Sequence, residues 1–199
     1  MIDFVKDIDG NEYPVRRFGN QIWMTANLKV RHFRNGDPIP ECRDSIAYSL
    51  AGQKGNPAWC YYDNLQENGD IYGSLYNWFA AHDVRGVAPD GWRIPTEDDW
   101  SLLELNLKDE SITDEIRDNK IFSEINSKIS NDFNPLPGGS RGINGAFGGL
   151  GINCYWWSFI SNPPELSWGR KVSQSNDAFE KIDSFQRFGF SIRCVKDFV

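Results

Sequence analysis

Few side chains in this sequence have chemistry to offer, and they are dispersed. Glu97, Asp98 and Asp99 stand together in "GWRIPTEDDWSLLELNL", and adjacent carboxylates suggest acid–base catalysis. The same three positions form the first turn of a helix, where the dipole favours negative charge without any chemistry, and that reading accounts for them. Asp63, Asn64, Asn68 and Asp70 could converge oxygens on a cation, but a polar turn between strand and helix explains them equally well. The cysteines at 42, 60, 154 and 194 form no CxxC and have only His32 and His82 as companions. Neither zinc-ligand spacing nor a thioredoxin-like motif is present. Four thiols permit two disulfides in three pairings, a Cys42–Cys60 bridge among them, yet four is also ordinary usage for a reduced protein. The glycines between Gly138 and Gly151 approach phosphate-loop spacing without the strand-to-helix context or the lysine such a loop needs. No Ser/His/Asp order and no glycosidase carboxylate pair can be nominated. The sequence therefore predicts no catalytic residue, no metal and no cofactor.

Charge narrows the partners. Twenty-one basic residues against 28 acidic ones leave a net charge of −7, so there is no surplus to neutralise a phosphate backbone, and nucleic acid is not an expected partner. No apolar run reaches the roughly 18 residues of a membrane span. The start, "MIDFVKDIDGNEYP", lacks the basic and apolar regions of a signal peptide, whether it is native or a boundary from which a leader was trimmed. With 199 residues, 40% of them hydrophobic, the chain can bury one substantial core.

The elements that must position any site follow from periodicity. "EYPVRRFGNQIWMT" sets Gly19-Asn20 between two apolar-alternating runs, predicting an N-terminal hairpin. From Lys29 to Tyr61 no period is sustained, which predicts a long ordered loop. In "YGSLYNWFAAHD", Leu75, Trp78 and Phe79 predict a first helix. A second helix starts at Thr96, capped with Asp99 three residues on, and buries Trp100, Leu103 and Leu107. Ile121, Ile125 and Ile129 continue a further amphipathic stretch over 112–130. Beyond Pro135 the chain turns to strands: "CYWWSF", buried on both faces, then "SWGRKVS" and "GFSIRCV". The class is α+β, with a hairpin, two main helices and a C-terminal antiparallel sheet. Burial of Tyr155, Trp156 and Trp157 in such a sheet explains their clustering without a ligand.

Eight ordered blocks carry a family likeness: "DIDGNEYPV", "GNQIWMTANL", "CYYDN", "YGSLYNWFAA", "APDGWRIPTEDDW", "FNPLPGGSR", the Cys154-Tyr155-Trp156-Trp157-Ser158 run, and "GFSIRCV". From about Asp7 to Val195 the chain resembles the Fibrobacter succinogenes major paralogous domain. The resemblance implies a C-type-lectin-like fold, with residues 1–199 as a single domain and 108–130 as a helical insertion replacing a shorter family segment. It also implies an extracellular or cell-surface setting, in bacteria such as the Bacteroidetes. Members of the wider fold include phage and bacterial proteins diversified by retroelements, whose last third contacts ligands. The resemblance implies a cysteine where Ala88 stands as the partner of the last-strand cysteine, so Cys194 is expected to lack that partner. Cys154 replaces a family glycine. The lectin triplets that bind calcium and sugar, Glu-Pro-Asn, Gln-Pro-Asp and Trp-Asn-Asp, do not occur here, and the paired C-terminal cysteines of formylglycine-generating oxidases are missing.

The resemblance thus implies a non-enzymatic ligand-binding or adhesion module, with a subunit of a surface fibre or phage tail as the alternative. Between Phe159 and Phe188, aromatic and charged residues mix with Ser and Asn, the composition of an adaptable binding surface. Alternation in "SWGRKVSQ" buries the face carrying Val172 and turns Lys171, Ser173 and Ser175 outward. With Asn162, Glu165, Phe179, Lys181 and Phe185 they form the expected ligand surface, for a protein or glycan.

Overall fold

The computed structural model describes residues 3–109, 132–159, 166–173 and 176–196. Three strands open the chain: β1 (Asp3–Lys6), β2 (Glu12–Phe18) and β3 (Gln21–Met24). Phe18 pairs with Gln21 across Gly19-Asn20, the two-residue turn the sequence predicts, and Gly19 takes a φ of +54° there. The stretch read as a long loop contains a helix, α1 (Ser45–Gln53), whose N-cap Asp44 accepts the Ala47 N–H at 2.8 Å. No apolar period marks it in the sequence, because only Tyr48 and Gly52 are buried while Ile46 and Leu50 face outward.

The middle of the chain is built from short pieces. β4 (Trp59–Cys60), a 3₁₀ turn at Tyr62–Asn64, α2 (Gln66–Tyr72), β5 (Leu75–Tyr76), α3 (Trp78–Ala81) and β6 (Trp92–Arg93) follow in order. Leu75, expected on the first helix, instead pairs with Cys60, and Asn77 caps a helix that begins only at Trp78. Asp63 and Asn64 hold left-handed φ values of 51° and 57°, while Asn68 bonds the Tyr62 carbonyl and Gln66 bonds Asp70. These polar residues shape a turn.

α4 (Glu97–Asp109) has the predicted start: the Thr96 N–H donates to the Asp99 carboxylate, and the Asp99 N–H donates to Thr96 Oγ1. Trp100, Leu103 and Leu107 are buried. Of the predicted insertion over 108–130, Lys108 and Asp109 complete α4; the Ile121, Ile125 and Ile129 stripe lies outside the described residues.

Beyond it come β7 (Gly138–Arg141), β8 (Phe147–Leu150), β9 (Asn153–Trp157), β10 (Leu166–Ser173), β11 (Asn176–Phe185) and β12 (Val195–Lys196). The architecture is α+β. One sheet runs β1-β2-β3-β12-β6 and another β11-β10-β9, with two-stranded ladders β4-β5 and β7-β8. β9 is covered on both faces, as its apolar run predicts. Cys154 and Trp156 enter a cluster with Trp23, Trp100, Phe133 and Phe179, while Trp157, with Tyr155 beside it, joins Tyr76 and Phe190.

The segment "GFSIRCV" is the instructive exception. Its alternation suggests one buried and one exposed face, yet every residue from Phe190 to Val195 is buried. Arg193 makes this possible by donating to the carbonyls of Phe133 and Asn134 and to Asn27 Oδ1, with its guanidinium 4.4 Å from the Phe133 ring centroid.

Candidate ligand-binding cleft

α3 ends in a ring stack. Asn77 accepts N–H bonds from Ala80 and Ala58, which fixes α3 against the strand that follows Ala58. The imidazole of His82, the residue after α3, lies 3.2 Å from the Trp78 ring centroid and 5.3 Å from that of Phe159, with both pairs within 18° of parallel. Phe159 is held because its N–H donates to the Pro95 carbonyl at 2.7 Å and Ser158 Oγ donates to the same oxygen.

These rings form one wall of a cleft of about 620 Å³. Val84, Val87, Trp92 and Ile94 face them. The loop between Gly86 and Trp92 is pinned by Arg34, whose guanidinium donates twice to the Ala88 carbonyl. Arg85 braces the turn before it by clasping Asp83 and lying 3.9 Å over Phe33. At the rim Val84 is fully exposed and Phe159 is 44% exposed.

Burial lowers the His82 pKa to about 3, against a weak opposite pull from the Trp78 and Ser158 carbonyls. Both ring nitrogens are buried without a hydrogen bond of good geometry. At neutral pH the imidazole is therefore an uncharged plate between two aromatic rings. The charged groups nearby are occupied: Arg93 clasps Asp99, and Asp99 also accepts from Thr96 Oγ1. Burial pushes the Asp99 carboxyl upward, but the hydrogen bonds from Arg93 and Thr96 outweigh it and hold the pKa below its ordinary value. The cleft is suited to enclosing an apolar or flat group. Among the described residues, no group of three His, Cys, Asp or Glu side chains could hold a metal ion.

The residues predicted from sequence as a ligand surface fall elsewhere, and the structure divides them. Phe179 is a correction: it is 4% exposed and packs on Trp100, Phe133 and Trp156. β11, where the composition suggests a binding surface, is a strand whose inward Phe179 serves the core. Ser173 is also buried, because both faces of this sheet are covered there. Lys171 is half-buried, its Nζ 3.6 Å from Glu180. Lys181 is exposed, its Nζ 3.1 Å from the Trp168 ring centroid. Phe185 is 46% exposed beside a smaller hollow of about 330 Å³, together with Phe79, Gln53 and Arg187. Asn162, Glu165 and Ser175 lie outside the described residues. The cleft itself was missed in sequence because its walls come from three separated segments, and the available signal, a histidine following a tryptophan by four residues, reads as helix core.

Three arginines are buried: Arg170, on the face with Val172 that the alternation buries, and Arg141 and Arg193, whose burial no sequence signal marked. Arg141 donates to the carbonyls of Cys42, Arg43 and Gly145 and lies 4.3 Å over Tyr48. Arg170 joins Glu97 on the first turn of α4 to the carbonyl of Phe179. Arg141 and Arg193 tie separate segments together through main-chain oxygens, and Arg170 ties α4 to β11, where the planar guanidinium fork is needed. Glu97 is thus a structural partner, in keeping with the helix-terminus reading of the acidic triplet.

These features define an α+β domain with an aromatic core and an apolar cleft. The sequence model of the Fibrobacter succinogenes major domain matches residues 17–196, and the chain belongs to that family. No curated protein and no solved structure matches it. Among the described residues no helix is long and apolar enough to cross a membrane.

Proposed function

We propose that this protein is a non-enzymatic ligand-binding or adhesion module of C-type-lectin-like fold that takes an apolar or flat ligand group into the Trp78–His82–Phe159 cleft. The carrying observation is the exposed apolar rim, Val84 and Phe159, over a concave wall of stacked rings. Pockets with apolar walls and few polar groups are where small groups are most readily enclosed. The exposed β11 residues Lys181 and Phe185 offer a second contact area, in keeping with the C-terminal display surface that the family resemblance implies. The partner is a protein or a glycan, and the setting is a cell or particle surface.

The test is a glycan and peptide array probed with the parent protein, Val84→Asp, Phe159→Ala, and the pair Lys181→Glu/Phe185→Ala. Loss of a parental signal in the first two variants, with folding kept, supports the cleft. Loss in the pair alone moves the ligand face to β11. No signal above background from the parent, together with a defined oligomer in solution, would favour a structural subunit instead.

A further inference from the structure

We propose that Cys42 and Cys60 are a disulfide-forming pair, closed by exchange with a small-molecule disulfide of the oxidised-glutathione class. Their thiols are free in this structure. The register brings them together: the Trp59 N–H donates to the Pro40 carbonyl at 3.0 Å and the Cys42 N–H to the Trp59 carbonyl at 2.9 Å, a parallel bridge between Glu41 and Trp59. One step further along both segments stand Cys42 and Cys60. Neighbouring strands lie about 4.7–4.9 Å apart, inside the roughly 4.4–6.8 Å between Cα atoms that a disulfide spans. Residues at matched positions of a parallel bridge project to the same side. The packing agrees, since Cys60 belongs to the cluster of Tyr48 and Leu75, and Cys42 packs against that cluster.

Arg141 adds a chemical bias. Its guanidinium donates to the Cys42 carbonyl and places a positive charge beside both thiols. A cation here favours the thiolate form of both cysteines, although burial remains the larger effect and raises both thiol pKa values, that of Cys60 to about 11. Cys42 is the more accessible of the two, half-buried where Cys60 is fully buried. Cys42 thiolate attacks one sulfur of the small disulfide, breaking its S–S bond and expelling one thiolate. Cys60 thiolate then attacks the Cys42 sulfur, forming the protein disulfide and expelling the second thiolate. The two protons lost by the cysteines are taken up by the expelled thiolates. The pair gives up two electrons and the small disulfide is reduced. Cys154 and Cys194 sit in two other clusters, apart from this pair and from each other, and remain thiols.

The bond would enclose α1. That helix presents Gly52 to Arg187, where an added Cβ would stand 3.0 Å from the arginine side chain, and its Gln53 lines the hollow beside Phe185. Cross-linking Cys42 to Cys60 therefore anchors one wall of that hollow.

The experiment is incubation of the native full chain with oxidised glutathione, followed by alkylation, non-reducing digestion and mass spectrometry. Two thiols should be lost, a peptide linking Cys42 to Cys60 should appear, and no glutathione should remain attached. The melting temperature should rise by about 6–12 °C for a loop of this length. Cys60→Ser should stop at a stable glutathione adduct on Cys42, and Cys42→Ser should stay unmodified while folded. The proposal is overturned by glutathione retained on Cys42 of the parent, by a cross-link to Cys154 or Cys194, or by four unmodified thiols under conditions in which the denatured chain reacts.

Discussion

Phe179 on β11 and Trp100 on α4 face each other with ring centroids 5.5 Å apart, both buried. Each ring fills the wall of the other's site, so truncation of either leaves a cavity in the same cluster. Trp100→Ala and Phe179→Ala should each cost about 3–5 kcal/mol. The double variant should cost less than the sum, because residues in contact share one cavity. Urea denaturation of the four proteins measures this, and strict additivity would show that the rings do not support each other.

Arg193→Lys should destabilise the protein by roughly 2–4 kcal/mol despite keeping the charge, because an ammonium cannot serve three acceptors in one plane and leaves buried carbonyls unpaired. The acceptors at stake are the Phe133 and Asn134 carbonyls and Asn27 Oδ1. Unchanged denaturation midpoints would mean that the fork contributes nothing beyond charge.

His82 makes acid stability predictable in sign. Its folded pKa of about 3 lies below the ordinary 6.5, so between these values the unfolded chain binds a proton that the folded chain refuses. The contribution is intact above pH 6.5 and is lost as pH falls, by about 1.4 kcal/mol per unit across the window. His82→Phe keeps an aromatic plate and removes the proton. Its stability should fall less steeply than that of the parent from pH 7 to pH 4, and parallel curves would contradict the burial of the imidazole.

Two glycines of the β7–β8 ladder should respond in opposite ways to alanine. Gly139 has a φ of +65°, and an added Cβ would stand 2.6 Å from the Gly148 carbonyl oxygen. Gly148 faces open space. Gly139→Ala should cost more than about 1 kcal/mol, whereas Gly148→Ala should be neutral or slightly stabilising through a less flexible unfolded chain. Thermal melts of the two variants side by side decide it.

What was legible in the sequence was local. Gly19-Asn20 states its turn, and Thr96 with Asp99 states its helix start, within a few residues. α1 was hidden because two inward residues, Tyr48 and Gly52, leave no apolar stripe to read. β11 was hidden because Phe179 and Phe185 carry the same side chain with opposite exposure, and only their surroundings tell them apart, the Trp100 cluster for one and the hollow beside Phe79 for the other. Arg193 defeats alternation outright, since its partners are carbonyls contributed by residues some sixty positions away. The cleft belongs to the same class of unreadable feature: Trp78, Val84 and Phe159 meet only after the fold has formed.

Leu107, in the last turns of α4, and Phe133, which follows the undescribed stretch 110–131, are both buried in the Trp100 cluster. Arg193 further clamps the chain just past Phe133, and Arg16 pairs with Asp132. The two positions thus act as moorings: the fold fixes both ends of the stretch between them at one aromatic cluster.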